Sequence, residues 1–274
     1  MNFGKWVLFS ALGVVNVAFV IAVWRAYQVR PAEPGPTWVD VSIGFVTDFF
    51  DTLGIGSFAP TTAIFKLRKK PPDELIPGTL NAGHNPAAFL DTVIFVSTVA
   101  VDPLLLILMV GSAAVGAWIG AGIAARLPRR AIQLAMGVAL LIAAGVFLLS
   151  NLGALPVGGE AMSLSGWRFA FAVGANFVFG ALMSVGIGLY APCMIMLALL
   201  GLHPLGAFPI MMGACGLVQP VASLRLLQSG RVAWGPALGL AAVTHLIVRL
   251  AILPSLASRS ALMASVCFGR SASC

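Results

Sequence analysis

Thr52-Leu53-Gly54-Ile55-Gly56-Ser57-Phe58-Ala59-Pro60 returns 132 residues later as Ser184-Val185-Gly186-Ile187-Gly188-Leu189-Tyr190-Ala191-Pro192. Five of the nine positions are identical, and Thr/Ser, Leu/Val and Phe/Tyr are close. Pro77 and Pro209 then align at the same offset. Chance supplies a lone Gly-x-Gly, but this longer match reads as an internal repeat. Each copy interrupts a long apolar segment, 39–65 and 167–199. Gly and Pro weaken a helix in water. In a bilayer, unwound backbone persists only where protein or a wet cavity satisfies it. Paired interruptions in two halves of a chain point to a transporter binding site.

Composition sets the same frame. Of 274 residues 59% are hydrophobic and 9% charged, with mean hydropathy +1.00; a soluble domain carries roughly 25% charged residues. The fold class expected is all-α: a polytopic helix bundle in the lipid bilayer of a cell membrane, with two homologous repeats, each holding a Gly/Pro-interrupted helix. Continuous spans are expected at 6–24, 76–98, 104–126, 131–149, 207–224 and 234–253. The first runs for 19 residues between Lys5 and Arg25. That exceeds a signal-peptide core of about 7–15 residues, and no small-residue cleavage site follows, so it reads as an uncleaved membrane helix. The expected organisation is an N-terminal helix and linker (1–38), a first repeat (39–150), a second (167–253) and an atypical tail (254–274). The net charge of +7 lies in short clusters between apolar runs, as in cytoplasmic loops, so no nucleic-acid partner is expected. The four cysteines have no metal spacing. No metal, no cofactor and no catalytic residue is assigned, and the oligomeric state is left open.

Two arrangements of the interrupted segments compete. If each is a re-entrant hairpin, the halves are inverted, with 11 basic residues inside (Arg25, Arg30, Lys66, Arg68, Lys69, Lys70, Arg126, Arg129, Arg130, Arg225, Arg231) and Lys5, Arg168, Arg259 and Arg270 outside. If each is one broken span, the halves are parallel, and the better orientation gives 10 inside and 5 outside. The positive-inside rule does not separate them.

The helix resuming after each break offers free N–H groups and a positive dipole end, so two such ends facing each other favour an anion. The candidate substrate-binding residues are Gly54, Gly56, Ser57, Pro60, Gly186, Gly188, Tyr190 and Pro192. Packing kinks without a ligand are the bland alternative. Asp48 and Asp51 share a helix face leading into the first motif. With His84 they are candidates for carrying a coupled proton. Asn81, Asn85 and Gln219 are expected to form a polar network, with Asp91, Asn176, His245 and Arg249 also in or near spans. Gly213 and Gly216 stand where the first half has Asn81 and His84, so a proton site is expected mainly in the first half. The row Ser112, Gly116, Gly120 is read as helix packing.

These residues together resemble the sulfite exporter TauE/SafE family of permeases. The resemblance rests on the repeated Gly-Ile-Gly-x-x-Ala-Pro motif, Gly78-Thr79-Leu80-Asn81, Gly116-Ala117-Trp118-Ile119-Gly120 leading to Arg126-Leu127-Pro128, and Phe208-Pro209-Ile210-Met211-Met212-Gly213. It covers about 40–240. It implies a multi-pass carrier for sulfite, sulfoacetate or related organosulfur anions. Two features depart from it. Ser57 and Leu189 stand where the family motif often continues its glycine run. After Leu253 the chain reads Pro254-Ser255-Leu256-Ala257-Ser258-Arg259-Ser260, where the resemblance implies a further span.

The leading function is therefore a secondary transporter, an exporter of small anions with proton coupling. One alternative is a non-transporting membrane subunit, favoured by the tail. The other is an intramembrane hydrolase using Ser57 and His84, which needs the two within hydrogen-bond reach. No Gly-x-x-x-x-Gly-Lys-Ser/Thr loop is present, which argues against an ATP-driven pump within this chain.

Overall fold

The computed structural model describes residues 3–29, 34–52, 56–152 and 159–242. Among them are ten α-helices, one 3-10 turn at Asp73–Leu75 and no strand. The expected first span is α1, Phe3–Val29. The first interrupted segment divides into α2, Trp38–Thr52, and α3, Phe58–Arg68. Then come α4, Ile76–Thr98, α5, Pro103–Ala124, and α6, Arg129–Asn151. The second interrupted segment divides into α7, Gly166–Met183, and α8, Tyr190–Leu199. α9 is Pro204–Gln228 and α10 is Trp234–Ala241. The rest of the span expected to 253, with His245, Arg249 and the tail, lies outside the described residues.

Local chemistry sets several of these boundaries. Pro103 opens α5 where its missing N–H costs nothing, and the Asp102 side chain accepts from Leu104 N–H (2.8 Å) and Leu105 N–H (3.0 Å). His203 and Pro204 repeat the device at α9. Helices α1, α5, α7 and α9 are long and apolar enough to cross a bilayer. Outward-facing Val14, Val17, Leu141 and Ile142 on α1 and α6 suit lipid rather than water. The chain is a multi-pass membrane protein. α4 has the length to cross, ~35 Å, and turns Asn81, His84, Asn85 and Asp91 into the bundle, where all are buried.

α2 and α3 are each too short to cross a hydrocarbon core, at ~22 and ~16 Å. They form a hairpin. Arg68, ending α3, pairs with Asp40 at the start of α2 at 3.0 Å. α7, which is long enough to cross, and the shorter α8 also fold back on each other, on the other side: Arg168, at the start of α7, donates to Leu200 O beyond α8 at 3.4 Å. The first hairpin opens on the face that also holds Lys66–Asp73 (2.6 Å) and Arg231, which donates to Ala124 O (3.2 Å) and Leu127 O (3.1 Å). The second opens on the opposite face, where Lys5 donates to Val99 O at 3.4 Å. In each pair the chain after the break turns back toward the face from which it came, the first pair at one face of the bundle and the second at the opposite one. The contacts of Lys66, Arg68, Arg129 and Arg231 lie on the first face, and those of Lys5 and Arg168 on the second.

The offset seen in sequence recurs in backbone geometry. The N-caps Ser57 and Leu189 have φ/ψ of −85/−28° and −80/−25°. Lys69 (φ 55°) and Gly201 (φ 87°) take the left-handed position ending α3 and α8. Each is followed by the same closing bond, Lys70 N–H to Phe65 O (3.2 Å) and Leu202 N–H to Leu197 O (2.9 Å). At the centre, α4 lies against α9. The pairing of α5 with α7 has its counterpart in α10 with α2. Small residues permit these approaches: a methyl on Gly116 would overlap the Phe177 carbonyl, and one on Gly180 the Ala113 carbonyl. Hydroxyl and amide groups add to the same seam. Ser112 Oγ donates to Val173 O (2.9 Å), Asn176 Nδ2 to Met109 O (2.7 Å) and Ser184 Oγ to Ala117 O (2.9 Å).

Candidate functional site

The tips of the two hairpins meet in the middle of the bundle, and they do so reciprocally. A Cβ on Gly56 would lie 3.5 Å from Tyr190 Cβ, and one on Gly188 would lie 3.5 Å from Phe58 Cβ. Gly56 and Gly188 are repeat counterparts, as are Phe58 and Tyr190, so the contact has the form of a local two-fold axis. Gly56 (φ 90°) and Gly186 (φ 96°) hold backbone conformations that favour glycine.

A cavity of about 890 Å³ opens beside this junction. Gly56, Pro60, Gly186, Gly188, Tyr190 and Pro192 line it, with Thr62 and apolar side chains of α6, α7 and α8. Six of the expected binding residues are thus brought together. Ser57 sits beside the cavity, buried, and Gly54 lies outside the described residues. Helix geometry leaves the first-turn N–H groups of α3 (Phe58, Ala59) and of α8 (Tyr190, Ala191) without a partner in their own turn. The third position in each turn is Pro60 or Pro192, which has no N–H. All four of those donors belong to residues lining the cavity.

Behind the junction lies the acidic cluster. Asp48, Asp51, His84 and Asp91 are fully buried. His84 Nδ1 is hydrogen-bonded to Asp48 Oδ1, and His84 Nε2 is 3.1 Å from Thr61 Oγ1. The result is a carboxylate–imidazole–hydroxyl chain joining α2, α4 and α3. Thr61 was not among the expected residues; its position one turn past Ser57 on α3 was the available signal. Asp51 Oδ1 accepts from Ser57 N–H at 2.7 Å and Oδ2 from Tyr190 O–H at 3.3 Å. Neither oxygen of Asp91 has a hydrogen-bond partner among the described residues.

The expected polar network divides. Asn81 Nδ2 donates to Pro77 O (2.8 Å) and Met183 O (3.3 Å), tying α4 to α7. Asn85 Nδ2 instead donates to Asn16 Oδ1 on α1 at 2.9 Å. Asn16 itself donates to Leu12 O at 2.9 Å and Gly216 O at 3.4 Å. Gln219 is buried with both amide atoms unpartnered among the described residues. Shared helix faces do not imply shared partners, because α4 is surrounded by α1, α2, α3, α9 and α10. The Ser57–His84 pairing that hydrolysis requires is absent, since both ring nitrogens of His84 are engaged by Asp48 and Thr61.

Comparison with known proteins gives one result. The family described as Sulfite exporter TauE/SafE matches residues 3–148. No curated protein and no solved structure matches the chain.

Proposed function

The chain belongs to the sulfite exporter TauE/SafE family, a family of membrane transporters, and from that premise we propose that it is a proton-coupled secondary exporter of small oxyanions such as sulfite or organosulfonates. Two inverted copies of one unit, 39–150 and 167–253, form its working core. The observation that carries this reading is the reciprocal junction of Gly56 with Tyr190 and Gly188 with Phe58 beside a cavity. Two helix N-termini reach that cavity from opposite sides of the bundle, and their N–H groups and dipoles favour an anion. The apolar lining leaves backbone N–H groups, Thr62 and Tyr190 as the means of recognition, and accommodates the carbon portion of an organosulfonate. Asp48, Asp51 and His84 supply the proton-carrying groups. By the positive-inside rule the face of the first hairpin is cytoplasmic.

Flux measurements in proteoliposomes test the proposal, using sulfite, sulfoacetate and small carboxylates with and without a pH gradient. Sulfite or sulfoacetate flux that rises with an imposed gradient is the expected result. An absence of flux for every anion would leave the non-transporting subunit as the better account.

A further inference from the structure

The chain places an anion of its own where an external one would bind. Asp51 is at the end of α2, and its carboxylate spans the hairpin junction: Oδ1 accepts from the N–H of Ser57, the N-cap of α3, at 2.7 Å, and Oδ2 from the O–H of Tyr190, the first residue of α8, at 3.3 Å. One donor therefore comes from each half. A third is unspent beside them. Ser57 Oγ is buried, makes no cap to its own helix and has no hydrogen-bond partner among the described residues. A buried hydroxyl without a partner is costly, and its persistence at a helix N-terminus marks a place that a ligand completes.

We propose that Asp51 is a tethered anion that competes with the transported oxyanion for the donors at the hairpin junction, and that protonation of Asp51 opens this site. The inference rests on the anion-transporter reading and adds its coupling rule.

The chemistry is one of charge. An ionised carboxylate holds Ser57 N–H and Tyr190 O–H by charge-assisted bonds. A second anion beside it in this buried site would be strongly repelled. Once a proton joins the Asp51 carboxylate, no covalent bond to carbon changes, and the carboxyl becomes a neutral, weaker acceptor. Ser57 N–H, Ser57 O–H and Tyr190 O–H, whose oxygen also lies 2.9 Å from Met212 Sδ, are then released to the entering ligand, three donors matching the three oxygens of a sulfonate or sulfite head. The charge of the site is conserved, because one proton enters with each monovalent anion; the two move in the same direction, so export follows the outward gradient of the anion itself. Mutual exclusion thus fixes a coupling of one proton per monovalent charge, with no separate gate. The other ionisable groups around Asp51 are Asp48 on its own helix, His84 and Asp91 on α4, Tyr190 on α8 and Cys215 on α9. His84 is engaged by Asp48, which leaves Asp51 without a dedicated cation.

The test is equilibrium binding of methanesulfonate to the full-length protein in detergent between pH 5 and 8, a range over which this ligand keeps its charge. Wild-type affinity is expected to fall about tenfold per pH unit above the titration of Asp51. Asp51→Asn is expected to bind with no pH dependence, and at pH 8 at least tenfold tighter than wild type. Ser57→Ala removes a hydroxyl that makes no bond among the described residues, so its fold is expected to be undisturbed. It is expected to weaken binding at pH 5 by about 3–10-fold while keeping the wild-type pH slope. An unchanged pH slope in Asp51→Asn, or unchanged affinity at pH 5 in Ser57→Ala, overturns the inference and leaves anion transport standing. Failure of the wild type to bind methanesulfonate, sulfite or acetate at any pH overturns both.

Discussion

Arg68 and Asp40, 28 residues apart in the chain, close the open end of the first hairpin with a 3.0 Å ion pair. The pair brings the end of α3 back to the side from which α2 enters, so the chain between them dips into the membrane and returns. Single-cysteine labelling checks this, in a background with Cys193, Cys215, Cys267 and Cys274 replaced by Ala. Gly35→Cys and Lys70→Cys are expected to react with a membrane-impermeant maleimide from the same side, and Met162→Cys from the other. Labelling of Gly35→Cys and Lys70→Cys from opposite sides would establish a broken span and parallel halves.

The seam between α5 and α7 depends on the absence of side chains at a few positions. A methyl on Gly180 would overlap the Ala113 carbonyl, whereas one on Gly174 meets nothing within 4 Å. Gly180→Val is expected to destabilise the protein by about 1–3 kcal/mol or more, read as a lowered unfolding midpoint in detergent. Gly174→Ala on the same helix should leave the midpoint unchanged or slightly raised, because it replaces glycine in a helix interior. Equal effects of the two would mean that α5 and α7 do not pack as described.

Much of the bundle was legible because the bilayer imposes a length on its helices. The expected span 76–98 coincides with α4, and 104–126 and 131–149 lie within two or three residues of α5 and α6. The breaks were legible from Gly and Pro, which interrupt a helix wherever they fall. The direction of the chain after each break was not, since a hairpin and a broken span have the same composition. Contacts such as Arg68–Asp40, between elements, decide it. The partners of the buried polar groups were hidden for the same reason. Asp48, Asp51 and His84 were recognisable as costly residues in an apolar chain. That Asp48 would meet His84, and Asp51 the Ser57 N–H and Tyr190, depends on how three helices converge on the junction. Asn16 stands within its apolar helix with no local pattern to mark it, yet it receives the hydrogen bond from Asn85.

Asp73 organises the basic face outside the membrane. Lys66 lies at 2.6 Å from it, Gln133 Nε2 donates at 2.6 Å and Arg129 Nη2 at 3.2 Å. Burial pushes the carboxyl up, but Lys66, Gln133 and Arg129 outweigh it and hold Asp73 below the usual aspartate range. A depressed carboxyl contributes stability that is present above its unfolded value, about pH 4, and is lost as pH falls through the folded value. Asp73→Asn is expected to cost about 1 kcal/mol at pH 7. The difference from wild type should shrink below pH 4, measured by thermal unfolding across pH. A loss that is constant from pH 7 to pH 3 would show that the ion pairs are not its source.

Asp48 and His84 stabilise each other as a pair, because each would otherwise be a buried ionisable group without its partner. Removing one partner leaves the other buried and uncompensated, which costs about 3–5 kcal/mol. Asp48→Asn and His84→Gln are each expected to lose stability on that scale. The double variant is expected to lose less than the two together by about 1–3 kcal/mol, since no orphaned partner remains. Thr61→Val, which removes only the 3.1 Å contact to His84 Nε2, should cost about 1 kcal/mol. The readout is the denaturant-unfolding midpoint in mixed micelles. The pH dependence of flux provides a second readout that packing alone does not move: it should be altered in His84→Gln and retained in Thr61→Val. Strictly additive losses from Asp48→Asn and His84→Gln would mean that the two side chains do not interact in the folded protein, and the relay from Asp48 through His84 to Thr61 would go with them.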